Sequence, residues 1–133
     1  MPDHSSYDPL RRREVAATPE EEVRQWFISM LSDSCGVPRH QMMSEVPLRS
    51  GRKTWRADLV VYSHGGKPVA IVECKRPDVV LDGDTAAQAL RYSSVLPVRF
   101  IFLTNGKSTF AYERKEGGFK PRRDIPDYNE MCL

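Results

Sequence analysis

The stretch from Arg56 to Asp78, RADLVVYSHGGKPVAIVECKRPD, limits the fold more than any other part of the chain. Two apolar runs flank Gly65-Gly66, and each carries charge where a buried strand should have none. Asp58 stands in the first run, Glu73 and Lys75 in the second. Glycine pairs favour tight hairpin turns. A turn centred on Gly65-Gly66 makes Asp58 the direct partner of Glu73, because both lie equally far from its centre. Directly opposed residues share a sheet face, with Cβ atoms about 5 Å apart. Lys75, two residues beyond Glu73, lies on that face as well. Val60, Tyr62, Val69 and Ile71 continue it, while Ala57, Leu59, Val61, Ala70, Val72 and Cys74 form the reverse. Both faces are apolar, so the strands are expected at the centre of a sheet with a helix layer on each side.

Two carboxylates that close, in apolar surroundings, repel and raise one another's pKa. The pattern makes chemical sense with a divalent cation between them. Hard oxygen ligands suit Mg²⁺ or Mn²⁺, and the metal keeps several waters. A lysine alongside can orient or deprotonate a water and stabilise charge on a phosphorus oxygen. Together these describe hydrolysis of a phosphodiester. Taken singly the residues say less: Glu-x-Lys arises by chance in roughly one of two chains this long. Asp58 alone reads as a strand-start residue paired with Arg56, and Glu73–Lys75 as a surface ion pair. The shared face is what makes them a candidate site.

The flanking segments supply helices and further strands. TPEEEVRQWFISMLSD predicts a helix with Thr18 as N-cap, Pro19 at the first helical position, Glu21 completing a capping box and Gly36 as terminator. Val23, Trp26, Phe27, Met30 and Leu31 make its apolar stripe. MMSEVPLRS reads as an edge strand, since Pro47 would interrupt a central one. After the acidic loop DVVLDGD, TAAQALRYSSVL predicts a second helix ended by Pro97. RFIFLTNGKSTFAYER is a hairpin turning through a type I′ turn at Asn105-Gly106. The order is α-β-β-β-α-β-β. It places an α+β domain over 18–115, between a flexible tail over 1–17 and a loosely held one over 116–133.

With 133 residues, one domain is expected. No apolar run approaches the roughly 18 residues that cross a bilayer, and the first residues are too polar for a secretory signal. Cys35, Cys74 and Cys132 are scattered, as are the three histidines, so neither a disulfide framework nor a zinc site is expected. These features suit the cytoplasm. The net charge of +2 neither demands nor excludes nucleic acid. Local basic clusters are more suggestive: Arg11–Arg13, Arg49/Arg52/Lys53/Arg56 and Lys120/Arg122/Arg123, although such clusters are usually solvated surface. Arg52, Lys53 and Arg56 are candidate DNA contacts.

Asp58, an apolar strand and then Glu73-Cys74-Lys75 resemble the PD-(D/E)xK nuclease signature, with Ala57 where its proline stands. Gln88 and Tyr92 in AAQALRY match the Gln-x-x-x-Tyr helix motif of the exonuclease-like branch. TPEEEVRQWF, VPLRSGRKTWRADLVVY, KPVAIVECKRPDV, QALRYSSVL and LTNG together are similar to the N-terminal nuclease domain of type I restriction enzyme motor subunits. The resemblance implies a restriction-endonuclease-like α/β (α+β) core, a central mixed sheet flanked by helices. It implies Mg²⁺ (or Mn²⁺) held by Asp58, Glu73 and the backbone carbonyl of Cys74, with Lys75 acting on the attacking water. A glutamate of the first helix, Glu21 or Glu20, would complete the network, and Gln88 and Tyr92 would position DNA. The implied activity is that of a metal-dependent DNA endonuclease domain. The alternative is a non-catalytic nucleic-acid-binding or assembly module that keeps the fold. The 133 residues contain no Gly-x-x-x-x-Gly-Lys-[Ser/Thr] loop, so no ATP site is expected in them. The domain is expected to work with separate restriction-modification subunits or to stand free.

Overall fold

The computed structural model describes residues 5–8 and 13–16 as backbone and residues 18–133 in full. Strands β1 (Ser5–Asp8) and β2 (Arg13–Ala16) pair antiparallel inside the segment expected as a flexible tail. The rest of that segment, with Arg11 and Arg12 of the first basic cluster, lies outside the described residues. Helix α1 (Pro19–Cys35) starts and stops where its caps require. Thr18 Oγ1 accepts the Glu21 N–H at 3.1 Å, and Gly36 ends the helix in the left-handed region at φ 72°. The Glu21 carboxylate pairs with Arg24. Val23, Phe27, Ile28 and Leu31 are buried, whereas Trp26, expected in the stripe, is 47% exposed.

Six strands form the main sheet: β3 (Met42–Ser50), β4 (Lys53–Tyr62), β5 (Pro68–Cys74), β6 (Phe100–Thr104), β7 (Thr109–Lys115) and β8 (Gly118–Arg122). They lie side by side in chain order. Every neighbouring pair is antiparallel except β5–β6, which is parallel. A parallel pair needs a crossover. Helix α2 (Gly83–Leu90) and the 3₁₀ turn Arg91–Ser94 supply it. The helix begins earlier than expected because Asp82 caps it reciprocally with Thr85. On one face of the sheet, Phe27 and Leu31 of α1 pack with Leu59, Val72, Phe100 and Phe102. On the other, Ala86 and Ala89 of α2 pack with Val60, Ile71, Ile101 and Leu103. Among the described residues, no helix is long and apolar enough to cross a membrane.

The β4–β5 register is the expected one, Leu59 opposite Val72 and Val61 opposite Ala70, but it arises differently. The turn is off-centre, closed by Gly66 N–H donating to Ser63 O at 2.9 Å, and Tyr62 pairs with Pro68. An irregularity between Val61 and Tyr62 restores the register. The extra residue places Val69 in the α1-side core rather than on the Asp58 face. The β6–β7 hairpin also forms with different turn chemistry. Asn105 Oδ1 accepts the N–H groups of Lys107 (2.9 Å) and Ser108 (2.8 Å), closing a four-residue loop in place of the two-residue turn.

Residues 116–133 are not a loose tail. They supply β8 and a one-turn helix α3 (Tyr128–Met131), whose Tyr128 and Met131 are buried in the α1-side core. The Tyr128 hydroxyl donates to Tyr62 O at 2.7 Å. Arg122 Nη1 donates to Glu113 Oε1 and Glu130 Oε2, both at 2.9 Å. The folded unit therefore runs on through Met131, and Arg122 is engaged in ion pairs. Met131→Ala should cost about 2–5 kcal/mol of stability, the range for truncating a buried methionine. Urea unfolding checks this; an unchanged midpoint would return the segment to the status of a tail.

Candidate functional site

The β4–β5 ladder runs from Tyr62–Pro68 to Leu59–Val72 and stops there. From Ala57 back to Lys53, β4 continues paired with β3 alone, so β3 and β4 project as a two-stranded arm. Where β4 leaves β5, Asp58 Oδ2 accepts the Cys74 N–H at 2.7 Å. The side chain thus occupies the ladder position its own backbone has vacated. On its other side β5 stays bonded to β6, with Lys75 N–H donating to Thr104 O at 2.8 Å. This junction gathers the charges. Lys75 Nζ is 3.4 Å from Glu73 Oε1, while Glu73 Oε2 is buried without a hydrogen-bond partner.

Burial is the main force on both carboxyls. It pushes Asp58 from its ordinary 3.8 to about 7, helped by the charges of Glu73 and Glu20 and opposed by the Cys74 N–H and Arg24. Burial likewise raises Glu73, with Lys75 and the Tyr92 hydroxyl pulling it back and Glu20 adding to the rise. Burial also holds the Cys74 thiol well above its ordinary range, so this sulfur stays protonated. Of the two helix-1 candidates, Glu20 is the one whose charge reaches both Asp58 and Glu73, and Glu21 holds Arg24.

Arg24 was not anticipated as a site residue. It is buried at 5% exposure, paired with Glu21 and 3.6 Å from Glu45 Oε1 of β3. Its signal in the sequence is a charged residue four and seven positions before the core residues Ile28 and Leu31, on their helix face. Glu45 stands in β3 across from Asp58, between the pairs Ser44–Leu59 and Val46–Ala57. Its φ of 53° is uncommon for a non-glycine residue.

Beside Glu73 and Lys75 a cleft of about 160 Å³ is lined in addition by Trp55, Gln88, Arg91 and Tyr92. The structure thus brings the two motif residues of the second helix to the Glu73–Lys75 side of the site, although Tyr92 lies in the 3₁₀ turn rather than on α2. The Tyr92 hydroxyl donates to Arg56 O at 3.2 Å, tying the arm to that turn. Burial and the Glu73 charge raise the Tyr92 pKa, keeping the hydroxyl a donor. Arg52, Lys53 and Arg56 are exposed on the arm. Trp55 and Arg91 complete the cleft unforeseen. Arg91 is three residues after Gln88, a spacing that puts the two on one side. Trp55 shows itself as a site residue only once the arm is known to outrun β5. Among the described residues, no three His, Cys, Asp or Glu side chains gather as a metal-binding group, so Asp58 and Glu73 are a two-carboxylate candidate.

Residues 19–126 match the family described as the type I restriction enzyme R protein N terminus. The chain belongs to that family. No curated relative matches it. A fragment structure of a protein assigned as the HsdR subunit of a type I restriction enzyme from Vibrio vulnificus YJ016 superposes with TM-score 0.66 at 19% identity, over 84% of this chain. The chain spans only 24% of that protein's resolved length. A protein assigned as a nuclease of the DUF820 group, from Anabaena variabilis ATCC 29413, superposes with TM-score 0.55 at 12% identity, covering 99% of this chain and 87% of its own. At these identities the likeness is one of fold, and the fold is restriction-endonuclease-like: a mixed six-stranded sheet with flanking helices. The membership marks a nuclease-related domain.

Asp58 gives a signed pH prediction. Between its ordinary value and about 7 the folded protein holds a proton the unfolded chain has released, so stability falls as pH rises through that window. In chelator, Asp58→Asn keeps an acceptor for the Cys74 N–H and removes the charge. It should melt at a higher temperature than wild type at pH 8, with the gain shrinking as pH falls through that window and gone only below Asp58's ordinary 3.8. A difference in melting temperature that ignores pH would show that Asp58 is not held in a desolvated site.

Proposed function

We propose that this domain is a metal-dependent DNA endonuclease of the type I restriction R-subunit kind, cutting by attack of water on a backbone phosphorus. The observation that carries the reading is the half-buried junction of Asp58, Glu73 and Lys75, where two carboxylates have raised pKa values and the Glu73 charge helps to raise Asp58. Such a pair is costly without a cation. The orphaned Glu73 Oε2 supports one, because it is an unused hard oxygen in a buried position. Asp58, Glu73 and the Cys74 carbonyl would hold Mg²⁺ or Mn²⁺, which takes few protein ligands and retains waters. A cation bound there supplies positive charge against the phosphate oxygens and acidifies nearby water.

The remaining steps fall to this chain's own groups. Lys75, 3.4 Å from Glu73 Oε1, would orient the attacking water and meet its charge. Tyr92 keeps its proton, given to Arg56 O, and so holds the turn against the arm, while Gln88 can fix the strand in the cleft beside it. The exposed Arg52, Lys53 and Arg56 on the arm offer backbone contacts to DNA. Recognition of particular sites and any translocation would fall to parts of a restriction-modification system outside these 133 residues.

Cleavage of supercoiled, linear and single-stranded DNA with Mg²⁺, Mn²⁺ or chelator tests this. Lys75→Ala should lower cleavage by roughly 10²-fold or more, the scale for one positioned catalytic group. It should leave the rise in melting temperature on adding Mn²⁺ intact. Asp58→Ala should lose both, since a ligand bound only by the folded state stabilises it. Wild type that cleaves nothing with either metal would support the non-catalytic nucleic-acid-binding module instead.

A further inference from the structure

The cleft beside Lys75 has a composition that phosphodiester hydrolysis alone does not call for. Water attack needs the carboxylates and the lysine. It does not need an indole, yet Trp55 forms part of the wall, backed by the α2-side core. Trp55 sits on the section of β4 that has outrun β5, and Arg91 stands on the crossover turn that lines the same cleft. The Tyr92–Arg56 hydrogen bond fixes that turn to the arm. Arg91 is exposed and makes no ion pair among the described residues.

We propose that this cleft is a subsite for one unpaired nucleotide, its base packed on Trp55 and its phosphate held by Arg91, so that DNA enters the site single-stranded at the cut. The inference rests on the nuclease reading and adds the strand state of its substrate. At about 160 Å³ the cleft is smaller than the roughly 300–1,000 Å³ of sites for drug-sized ligands. A space of that size has room for a group no larger than one base. A base in a duplex hides its ring faces in the stack and can meet an indole only when unpaired. Stacking on an aromatic ring accepts any base, and the Gln88 amide can bond a base edge at the same mouth.

The chain has two tryptophans, so Trp26→Phe leaves Trp55 as the sole indole. That variant is titrated in chelator with a thymidine 12-mer, a 12-bp duplex and an abasic 12-mer, while the anisotropy of each labelled strand reports binding. The single strand should quench Trp55 and bind about 10-fold or more tighter than the abasic strand. The duplex should bind through its phosphates without quenching, and Arg91→Ala should weaken the single strand by about 10-fold. The subsite is wrong if bound single strand leaves Trp55 emission unchanged, or if duplex and abasic strands quench it equally. A Trp55→Leu protein that melts like wild type and keeps the single-strand preference would also overturn it. The two readings fail separately. Quenching without any cleavage in Mg²⁺ or Mn²⁺ supports the subsite and removes the nuclease; cleavage without quenching does the reverse.

Discussion

The hydrogen bond from the Cys74 N–H to Asp58 Oδ2, 2.7 Å long, holds the place where β4 and β5 separate. A buried N–H left without a partner costs about 1–3 kcal/mol. Asp58 removes that cost, and so lets the ladder end inside the protein instead of at its rim. Once β4 is free of β5, it can carry the arm beyond the sheet and leave room for a cleft between the arm and the crossover turn. The same bond draws an anionic group into the interior beside Glu73. Structure and chemistry thus share one atom, and the arm, the cleft and the charged junction all depend on it.

The repulsion at the junction is only partly offset by the protein itself. Arg24 and the Cys74 N–H lower the Asp58 pKa, yet burial and Glu73 outweigh them. Lys75 and Tyr92 do the same for Glu73, again without cancelling burial. A core built for stability alone would fill this space with apolar groups, as both packed faces of the sheet do a few residues away. That contrast makes the junction read as a binding site.

Much of the fold was legible because the strands carry their own rulers. Most sides of the sheet followed from alternation, and the β4–β5 register from symmetry about the glycines. The register came out right although the turn is off-centre, because the irregularity at Val61/Tyr62 compensates for it; Val69 and Ala57 were misplaced, Val69 packing in the α1-side core and Ala57 in the α2-side core. Capping chemistry marked α1, since Thr18, Pro19 and Gly36 act locally. What escaped depends on contacts far apart in sequence. Tyr128 and Met131 lie in a polar, proline-interrupted segment with no periodicity, and only tertiary packing shows that they belong to the core. Arg24 owes its place to Glu21 and to Glu45, which lies on a strand distant in sequence, and Trp55 becomes a wall of the cleft only because β5 stops short of it.

Anomalous diffraction from crystals grown with Mn²⁺ tests the central claim most directly, because it locates the cation without relying on turnover. One strong peak is predicted within roughly 2.5 Å of carboxylate oxygens from both Asp58 and Glu73, the range for oxygen ligands of hard divalent cations. A fully occupied Mn²⁺ elsewhere, such as on Glu20 and Glu22 at the start of α1, with the Asp58–Glu73 gap empty, would contradict it.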